Sequence, residues 1–129
     1  MTYKKGYRIE NKLIHIFEKY GFACVRSAGS KKVDIIAGKS NIKLCIEVKN
    51  TKNTYVYIPR EQVEKLLIFS KKFGCNPLII VNFKNKGLYV FDSIKTKLEI
   101  NEGTKLETYI KSLLTKYTSS DRMDISDSS

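Results

Sequence analysis

Apolar residues along the first part of the chain recur with the period of a helix and then with that of a strand. Over residues 7–20, YRIENKLIHIFEKY, the apolar side chains fall on one stripe, which predicts an amphipathic helix. Gly21 predicts the C-terminal end of that helix. In the next segment, FACVRSA, apolar and polar residues alternate, which predicts a strand, and GSKK predicts the loop after it.

Two further segments, VDIIA and KLCIEVK, predict an antiparallel hairpin closed by the turn GKSN. The predicted register pairs Ala37 with Ile42, which leaves Asp34 one pleat from Glu47. Because side chains alternate between the faces of a strand, both acids fall on one face, with Lys49 beside them. The hairpin is therefore predicted to bring two carboxylates together next to an ammonium group.

The second half of the chain continues to alternate between strand and helix patterns. TYVYI predicts a short strand, and PREQVEKLLIFSKKFG predicts a helix over residues 60–73 between Pro59 and Gly74. PLIIVNF and GLYVFDS predict two strands joined by KNKG, and LETYIKSLLTKY predicts a last amphipathic helix. Strands joined by short turns are antiparallel, whereas the helix over 60–73 provides a crossover. This order predicts an α/β fold, a mixed central β-sheet flanked by helices.

The length of 129 residues suits one domain, which we place at residues 1–117. Residues 118–129, TSSDRMDISDSS, hold three acids and one base and predict a disordered, acidic, Ser-rich tail. No apolar run approaches the ~20 residues that span a bilayer, and no secretory signal is visible. We therefore expect no membrane association and a cytoplasmic location, at the nucleoid or, for a viral gene, in the host cytoplasm.

The net charge is +11, from 24 basic and 13 acidic residues. Such an excess predicts a protein that binds a polyanion, although lysines that only maintain solubility would produce the same composition. The three cysteines, Cys24, Cys45 and Cys75, are irregularly spaced and odd in number. That pattern argues against a zinc site and a disulfide framework, so we expect reduced thiols.

The predicted pair Asp34 and Glu47 suits one kind of chemistry particularly well. Two hard oxygen ligands a few Å apart can hold a Mg²⁺ ion, with Mn²⁺ as a possible substitute, that retains several waters. Such an ion activates a bound water and neutralises charge on a phosphate, while Lys49 can stabilise the transition state. The pair therefore points to phosphodiester hydrolysis. The alternative is an ion network of Asp, Lys and Glu on a solvated sheet face.

These residues also carry a resemblance to known nucleases. Asp34, followed on the next strand by Glu47-x-Lys49, resembles the PD-(D/E)xK nuclease pattern. GYRIENKLIHIFEKYGFACVRSAGSKKVDIIAG and LCIEVKN resemble the archaeal-type Holliday junction resolvases, over about Lys5 to Phe83. The resemblance implies a restriction-endonuclease-like core. It also implies a homodimer that binds four-way junction DNA and makes paired, metal-dependent nicks in opposing strands.

The resemblance further implies roles for single residues. The implied catalytic residues are Glu10, Asp34, Glu47, Lys49 and Ser30. The implied metal ligands are Glu10, Asp34, Glu47 and the carbonyl of Val48. Two of these assignments have simpler alternatives, because an acid near a helix N-terminus is favourable in any case and a serine after glycine is common in turns.

Substrate contacts and the dimer interface complete the prediction. Candidate DNA contacts are Lys4, Lys5, Arg8, Arg26, Lys31, Lys32, Lys52, Arg60 and Gln62. Phe69 and Phe73 lie four residues apart, offset from the apolar stripe that would face the sheet, and are candidates for the dimer interface. Ordinary core packing of a wide stripe is the alternative for these two residues.

Two other functions compete with junction resolution. A restriction-like or repair endonuclease would act on linear or branched duplex DNA, but the chain shows no obvious inserted segment that could read bases. An inert nucleic-acid-binding module would need the lysines, yet it would gain nothing from acids that face phosphate.

Overall fold

The structure is a computed structural model that describes the backbone of residues 2–27 and 33–128 and the side chains of residues 8–27 and 33–117. Some of the sequence-based predictions fall on side chains outside these ranges. They concern Lys4, Lys5, Ser30, Lys31 and Lys32.

Within the described residues, three α-helices, eight β-strands and one 3-10 turn follow one another. In chain order they are α1 (Thr2–Lys19), β1 (Ala23–Arg26), β2 (Ile35–Lys39), β3 (Ile42–Thr51), β4 (Tyr55–Tyr57), α2 (Arg60–Phe73), β5 (Asn76–Phe83), β6 (Gly87–Phe91), β7 (Lys97–Glu99), the 3-10 turn (Ile100–Glu102), β8 (Thr104–Lys105) and α3 (Leu106–Ser128). The predicted helix over residues 60–73 is confirmed at both ends. The strands β7 and β8 were not predicted.

The main sheet has six strands in the order β1-β2-β3-β5-β6-β8. Only the central pair β3–β5 is parallel, and the other neighbours are antiparallel. The parallel pairing follows from α2, which carries the chain back across the sheet between these two strands. A separate two-stranded sheet joins β4 and β7. The predicted α/β fold with a mixed central sheet is confirmed.

Two apolar cores cover the two faces of the main sheet. On one face α1 and α3 pack against it, with Leu13, Phe17 and Ile110 fully buried. On the other face α2 and the β4–β7 sheet pack against it, with Val63 and Leu66 buried. A sheet covered on both faces needs apolar side chains on both sides of its central strands. The buried residues of β3 end at Ile46, and the polar side chains of Glu47 and Lys49 follow in the second half of the strand.

The hairpin between β2 and β3 corrects the predicted register. Ala37 pairs with Leu44 rather than with Ile42, a shift of two residues. The cause is a shorter loop, because Lys39 already pairs with Ile42 and Ser40 takes a left-handed conformation with φ of 52°. A two-residue hairpin loop with a positive φ matches the natural twist of the strands. A shift of two residues leaves every side chain on its predicted face.

Helix α3 extends beyond the predicted domain boundary. The helix reaches Ser128 and so includes most of residues 118–129, where composition predicts a disordered tail. No glycine or proline interrupts the sequence from Leu106 to Ser128, so nothing local ends the helix there. The division of the chain after residue 117 stays a prediction. Among the described residues, no helix is both long and apolar enough to cross a bilayer.

The cysteines depart from the expected reduced state. Cys45 on β3 and Cys75 before β5 form a disulfide, so the prediction of reduced thiols is wrong for these two. The parallel pairing places Cys45 opposite Pro77, close to Cys75, and the two Cα atoms are 5.8 Å apart. That separation lies within the usual range for disulfides. Cys24 is free, and partial burial raises the pKa of its thiol to about 11.

We predict that reduction of this disulfide lowers the free energy of unfolding by about 3–4 kcal/mol, since the bond closes a loop with a sequence separation of 30. Urea unfolding with and without dithiothreitol measures the difference. Cys24→Ser is the control, since it should respond to the reductant like the wild type, whereas Cys75→Ser should not respond. Three titratable thiols in the unfolded, unreduced protein would contradict the assignment.

Candidate active site

Asp34 and Glu47 meet where the β2–β3 ladder ends. The last ladder pair is Ile35 with Ile46, and one further residue along each strand places Asp34 beside Glu47. Two hydrogen bonds hold the aspartate there. Its N–H donates to the Ile46 carbonyl at 3.0 Å, and its Oδ2 accepts from the Val48 N–H at 2.8 Å. The corrected register thus brings the two acids closer together than the sequence predicted.

The ionisation of Glu47 depends on its burial and on the charge of Asp34. Burial raises the pKa of Glu47 to about 7, and the negative charge of Asp34 adds to the rise. The Lys49 ammonium acts in the opposite direction, with its Nζ 3.5 Å from Glu47 Oε2. Two like charges that share a partly buried site are unfavourable unless a cation joins them. The pair therefore has the electrostatic character of a cation site.

Glu10 approaches this pair from α1. Burial raises its pKa, the charge of Asp34 adds to the effect, and Arg26 opposes both. Arg26 Nε lies 3.1 Å from Glu10 Oε1, and its guanidinium also donates to Asn11 Oδ1. Arg26 was predicted as a DNA contact, and in the structure it pairs with the helical glutamate. The contact with Asn11 has no signal in the sequence, because it depends on how α1 packs beside β1.

Lys49 is held between two partners. Its Nζ donates to Gln62 Oε1 at 2.5 Å and lies near Glu47. Gln62 reaches the lysine because α2 begins at Arg60 and runs over the face of the sheet that carries Lys49. Gln62 was predicted as a DNA contact. The structure instead places its side-chain oxygen on the candidate catalytic lysine.

The donor atoms at this site suit a hard divalent cation. Asp34 and Glu47 offer carboxylate oxygens, the ligands that Mg²⁺ prefers, and such sites often use only one or two carboxylates. The Val48 N–H points to Asp34, and the carbonyl of the same residue lies along the same edge of the strand. Within the described ranges, no three His, Cys, Asp or Glu side chains are grouped tightly enough to hold an ion. Glu10 lies near Asp34, whose charge raises its pKa, and its role as a direct ligand stays a prediction.

The remaining predicted residues lie around this centre or on α2. Three of the predicted basic DNA contacts are exposed, namely Arg8 on α1, Lys52 directly after β3 and Arg60 at the start of α2. Phe69 and Phe73 stack on each other with ring centroids 5.3 Å apart. Phe69 packs partly against the core, whereas Phe73 is 53% exposed. Only Phe73 of this pair presents a large free surface.

The chain matches a family model described as archaeal Holliday junction resolvase over residues 1–118. It is 43% identical over 88 residues to a crossover junction endodeoxyribonuclease Hjc of Methanocaldococcus jannaschii, covering 68% of this chain and 66% of that protein. It is 36% identical over 87 residues to the Archaeoglobus fulgidus protein of the same name, covering 64% of each. The matched parts thus span just under two thirds of these two relatives.

A viral relative and a solved structure match more of their own length. A crossover junction endodeoxyribonuclease of Sulfolobus islandicus rod-shaped virus 1 is 32% identical over 117 residues, covering 84% of this chain and 97% of that protein. The solved structure of Archaeoglobus fulgidus Hjc, described as a Holliday junction resolvase, superposes with a TM-score of 0.73 and 28% identity. That match covers 81% of this chain and 94% of the solved one.

We predict that Glu47→Gln raises the free energy of unfolding at about pH 8 by roughly 3–4 kcal/mol and changes it little at about pH 4. Folded Glu47 keeps its proton up to about pH 7, whereas an unfolded glutamate releases it near about 4.3. The wild type therefore loses stability as the pH rises between these values, and glutamine removes that loss.

Urea unfolding across this pH range, with EDTA present, measures the difference between variant and wild type. Glu64→Gln, an exposed change on α2, is the matched control and should show no such pH dependence. If the free energies of unfolding of Glu47→Gln and the wild type differ by the same amount at every pH, the raised pKa of Glu47 is contradicted.

Proposed function

The chain belongs to the archaeal Holliday junction resolvase family, and we propose that it is a structure-selective endodeoxyribonuclease that resolves four-way DNA junctions. The single observation that carries the proposal is the meeting of Asp34 with Glu47 where the β2–β3 ladder ends, next to Lys49. This arrangement can bind a cation and a phosphate at one point. A cytoplasmic location is part of the same proposal.

Asp34, Glu47 and the Val48 carbonyl would hold a Mg²⁺ ion, and Mn²⁺ could replace it. When bound, Mg²⁺ supplies positive charge to the reacting phosphate and lowers the pKa of a coordinated water. Lys49 stabilises the negative charge that develops on the phosphate oxygens, as a positioned ammonium does in other phosphoryl transfers. Gln62 accepts a hydrogen bond from Lys49 and so orients its ammonium group.

The same geometry argues against an inert binding module. Glu47 is mostly buried and its pKa is raised partly by the nearby charge of Asp34, so the pair reduces the stability of the folded protein near neutral pH. Neither acid attracts DNA. A metal ion that joins the two carboxylates would offset their repulsion, and a phosphate could then bind beside it. This explains why a strongly basic protein carries an unfavourable pair of acids.

Junction resolution calls for two active sites, and we propose a homodimer formed through α2. Three apolar side chains of this helix are markedly exposed, with Leu67 at 41%, Ile68 at 56% and Phe73 at 53%. Exposed aliphatic and aromatic groups grouped on one element are typical of the core of a protein interface. A two-fold axis there would present one metal site to each of two opposing DNA strands.

We predict that Asp34→Asn and Glu47→Gln each abolish cleavage of a labelled four-way junction in Mg²⁺, because each removes a cation ligand. Junction affinity should hold or rise, because each change also removes a negative charge near the DNA backbone. Gel analysis of cleavage products and fluorescence anisotropy measure the two effects. Asp92→Asn, an exposed change at the end of β6, is the matched control. Full cleavage by either site variant would refute the metal-site assignment.

We predict that Gln62→Ala slows single-turnover cleavage about tenfold, since loss of one hydrogen bond to a charged group weakens the orientation of Lys49 by about 1.5 kcal/mol. Junction affinity should change less than twofold. Glu64→Ala on the same helix is the control for nonspecific effects. If Gln62 instead contacts a phosphate, the affinity will fall and the rate at saturating protein will hold.

We predict that Ile68→Ser combined with Phe73→Ser produces a folded monomer, because each large apolar side chain that leaves an interface removes about 1.5–3 kcal/mol of burial energy. Sedimentation velocity measures the mass, and circular dichroism checks the fold. Val25→Ser is the matched control, because Val25 is 63% exposed on the edge strand β1. The monomer should convert a supercoiled cruciform plasmid to open circles, whereas the wild type should produce linear DNA. A double variant that stays dimeric would place the interface elsewhere.

A further inference from the structure

Two ion pairs between residues with described side chains are mostly buried, and both lie at the candidate active site. In one pair the side chains of Arg26 and Glu10 are 22% and 21% exposed, and the pair of Lys49 with Glu47 is similarly buried. Three other ion pairs in the same part of the chain have side chains that are at least 37% exposed. The role of Lys49 follows from the proposed function, whereas the proposed function gives Arg26 no role.

Arg26 is held in place through both its backbone and its side chain. Its backbone belongs to the β1–β2 ladder, and the N–H of the next residue, Ser27, donates to the Asp34 carbonyl at 3.0 Å. Its Nε lies 3.1 Å from Glu10 Oε1, and its guanidinium also donates to Asn11 Oδ1. A guanidinium stays protonated in proteins and presents its donors in a rigid fork, so two acceptors fix its orientation. The positive charge of Arg26 is therefore a permanent part of the site.

Glu10 and Glu47 approach Asp34 from opposite faces of the sheet. Glu10 is on α1, which packs on one face, whereas alternation along β3 places Glu47 on the face that α2 covers. Burial, and after it the charge of Asp34, raises the pKa of each glutamate, so both lie within electrostatic reach of Asp34. Arg26 opposes this rise for Glu10, and Lys49 opposes it for Glu47. The acids and cations of the two faces therefore form one electrostatic group around Asp34.

The charge balance of this group matches one divalent ion. Three carboxylates and two cations form it, namely Glu10, Asp34, Glu47, Arg26 and Lys49. When all five are ionised, one negative charge is in excess, and one Mg²⁺ would turn this excess into one positive charge beside the phosphate. Two-ion sites hold their ions only about 3.5–4 Å apart, so a second ion would add its charge at close range. The Glu10 Oε1 that could bind such an ion faces Arg26 instead.

We propose that Arg26 takes the place of a second metal ion, so that each subunit binds one divalent ion, between Asp34 and Glu47, while Glu10 stays paired with Arg26. The inference rests on the proposed function, because the ion is the one that this function requires. It departs from the resemblance, which implies that Glu10 is itself a metal ligand. Arg26 is then a positioning residue, since it acts through Glu10. By neutralising Glu10 it leaves Asp34 and Glu47 as the two carboxylates of the group that bind the ion.

The first experiment counts the Mn²⁺ ions bound by the full-length protein without DNA, by electron paramagnetic resonance of the free ion. The wild type should bind one ion per subunit, and Arg26→Gln, which leaves Glu10 unneutralised, should bind two. Arg26→Lys keeps the charge and should bind one. Lys43→Gln removes an exposed cation elsewhere on β3 and is the matched control, which should also bind one. Circular dichroism checks the fold of each variant. A wild type that binds two ions, or a folded Arg26→Gln that binds one, overturns the proposal.

The second experiment tests whether Glu10 binds the ion in the wild type. Glu10→Gln combined with Arg26→Gln removes one charge of each sign, so the net charge of the site is unchanged. This double variant should bind one Mn²⁺ with an affinity close to that of the wild type, because Glu10 and Arg26 neutralise each other in the proposal. If Glu10 is a ligand of the bound ion, the affinity should fall at least about tenfold, as it commonly does when a metal site loses a partner. That result overturns the proposal.

The outcomes separate this inference from the proposed function. Wild-type protein that binds one ion and cuts the junction, with an Arg26→Gln variant that also binds one ion, overturns the role of Arg26 alone. Wild-type protein that binds one ion without cutting junctions overturns the proposed function, and the count for Arg26→Gln still decides the inference. Wild-type protein that binds no Mn²⁺ at millimolar concentration overturns both. If Arg26→Gln does not fold, the count for the wild type and the affinity of the double variant decide the inference.

Discussion

The hydrogen bond from the Val48 N–H to Asp34 Oδ2 holds an acid against strand β3, just beyond the last pair of the β2–β3 ladder. It can form only because the β2–β3 hairpin turns in two residues, with Ser40 in a left-handed conformation. A loop of another length would move Asp34 along β3 and away from Glu47. The local geometry of one tight turn therefore determines whether the two carboxylates meet. The cation site, and all the chemistry inferred from it, depends on that register.

Coverage of both faces of the sheet determines where polar groups can be placed. With helices on one side and α2 with the β4–β7 sheet on the other, β3 carries apolar side chains on both faces from Leu44 to Ile46. The polar residues Glu47 and Lys49 lie in the second half of the strand, beyond its last pair with β2. The parallel pairing of β3 with β5 then brings two further features to this end. One is the start of α2, with Gln62 on Lys49, and the other is the β5–β6 turn with Lys86.

The site concentrates opposite charges in a way that favours binding over stability. Asp34 and Glu47 raise the energy of the folded protein near neutral pH, because burial and mutual repulsion disfavour two ionised carboxylates. Around them the chain carries a net charge of +11, which attracts a polyanion. This small acidic centre inside a basic surface is the arrangement from which we propose that a metal ion and a phosphate bind together. The disulfide between Cys45 and Cys75 ties the active strand to the segment after α2 and offsets part of the loss of stability.

The sequence alone determined the elements that depend on local pattern. Helix α2 was predicted to the residue, because Pro59 fixes the backbone before its first turn and Gly74 can take the left-handed conformation that ends it. The alternation of apolar and polar residues predicted which side chains of β3 point to each face of the sheet. That assignment stays correct because the error in register is two residues, and a shift of two leaves each side chain on its face. Only the tertiary structure decided the register itself, the short strands β7 and β8, the pairing of Cys45 with Cys75, and the contact of Gln62 with Lys49. The register depends on the conformation of the turn at Ser40, which turn composition left open between two and four residues. The other features depend on contacts between residues farther apart in the chain, which periodicity does not specify.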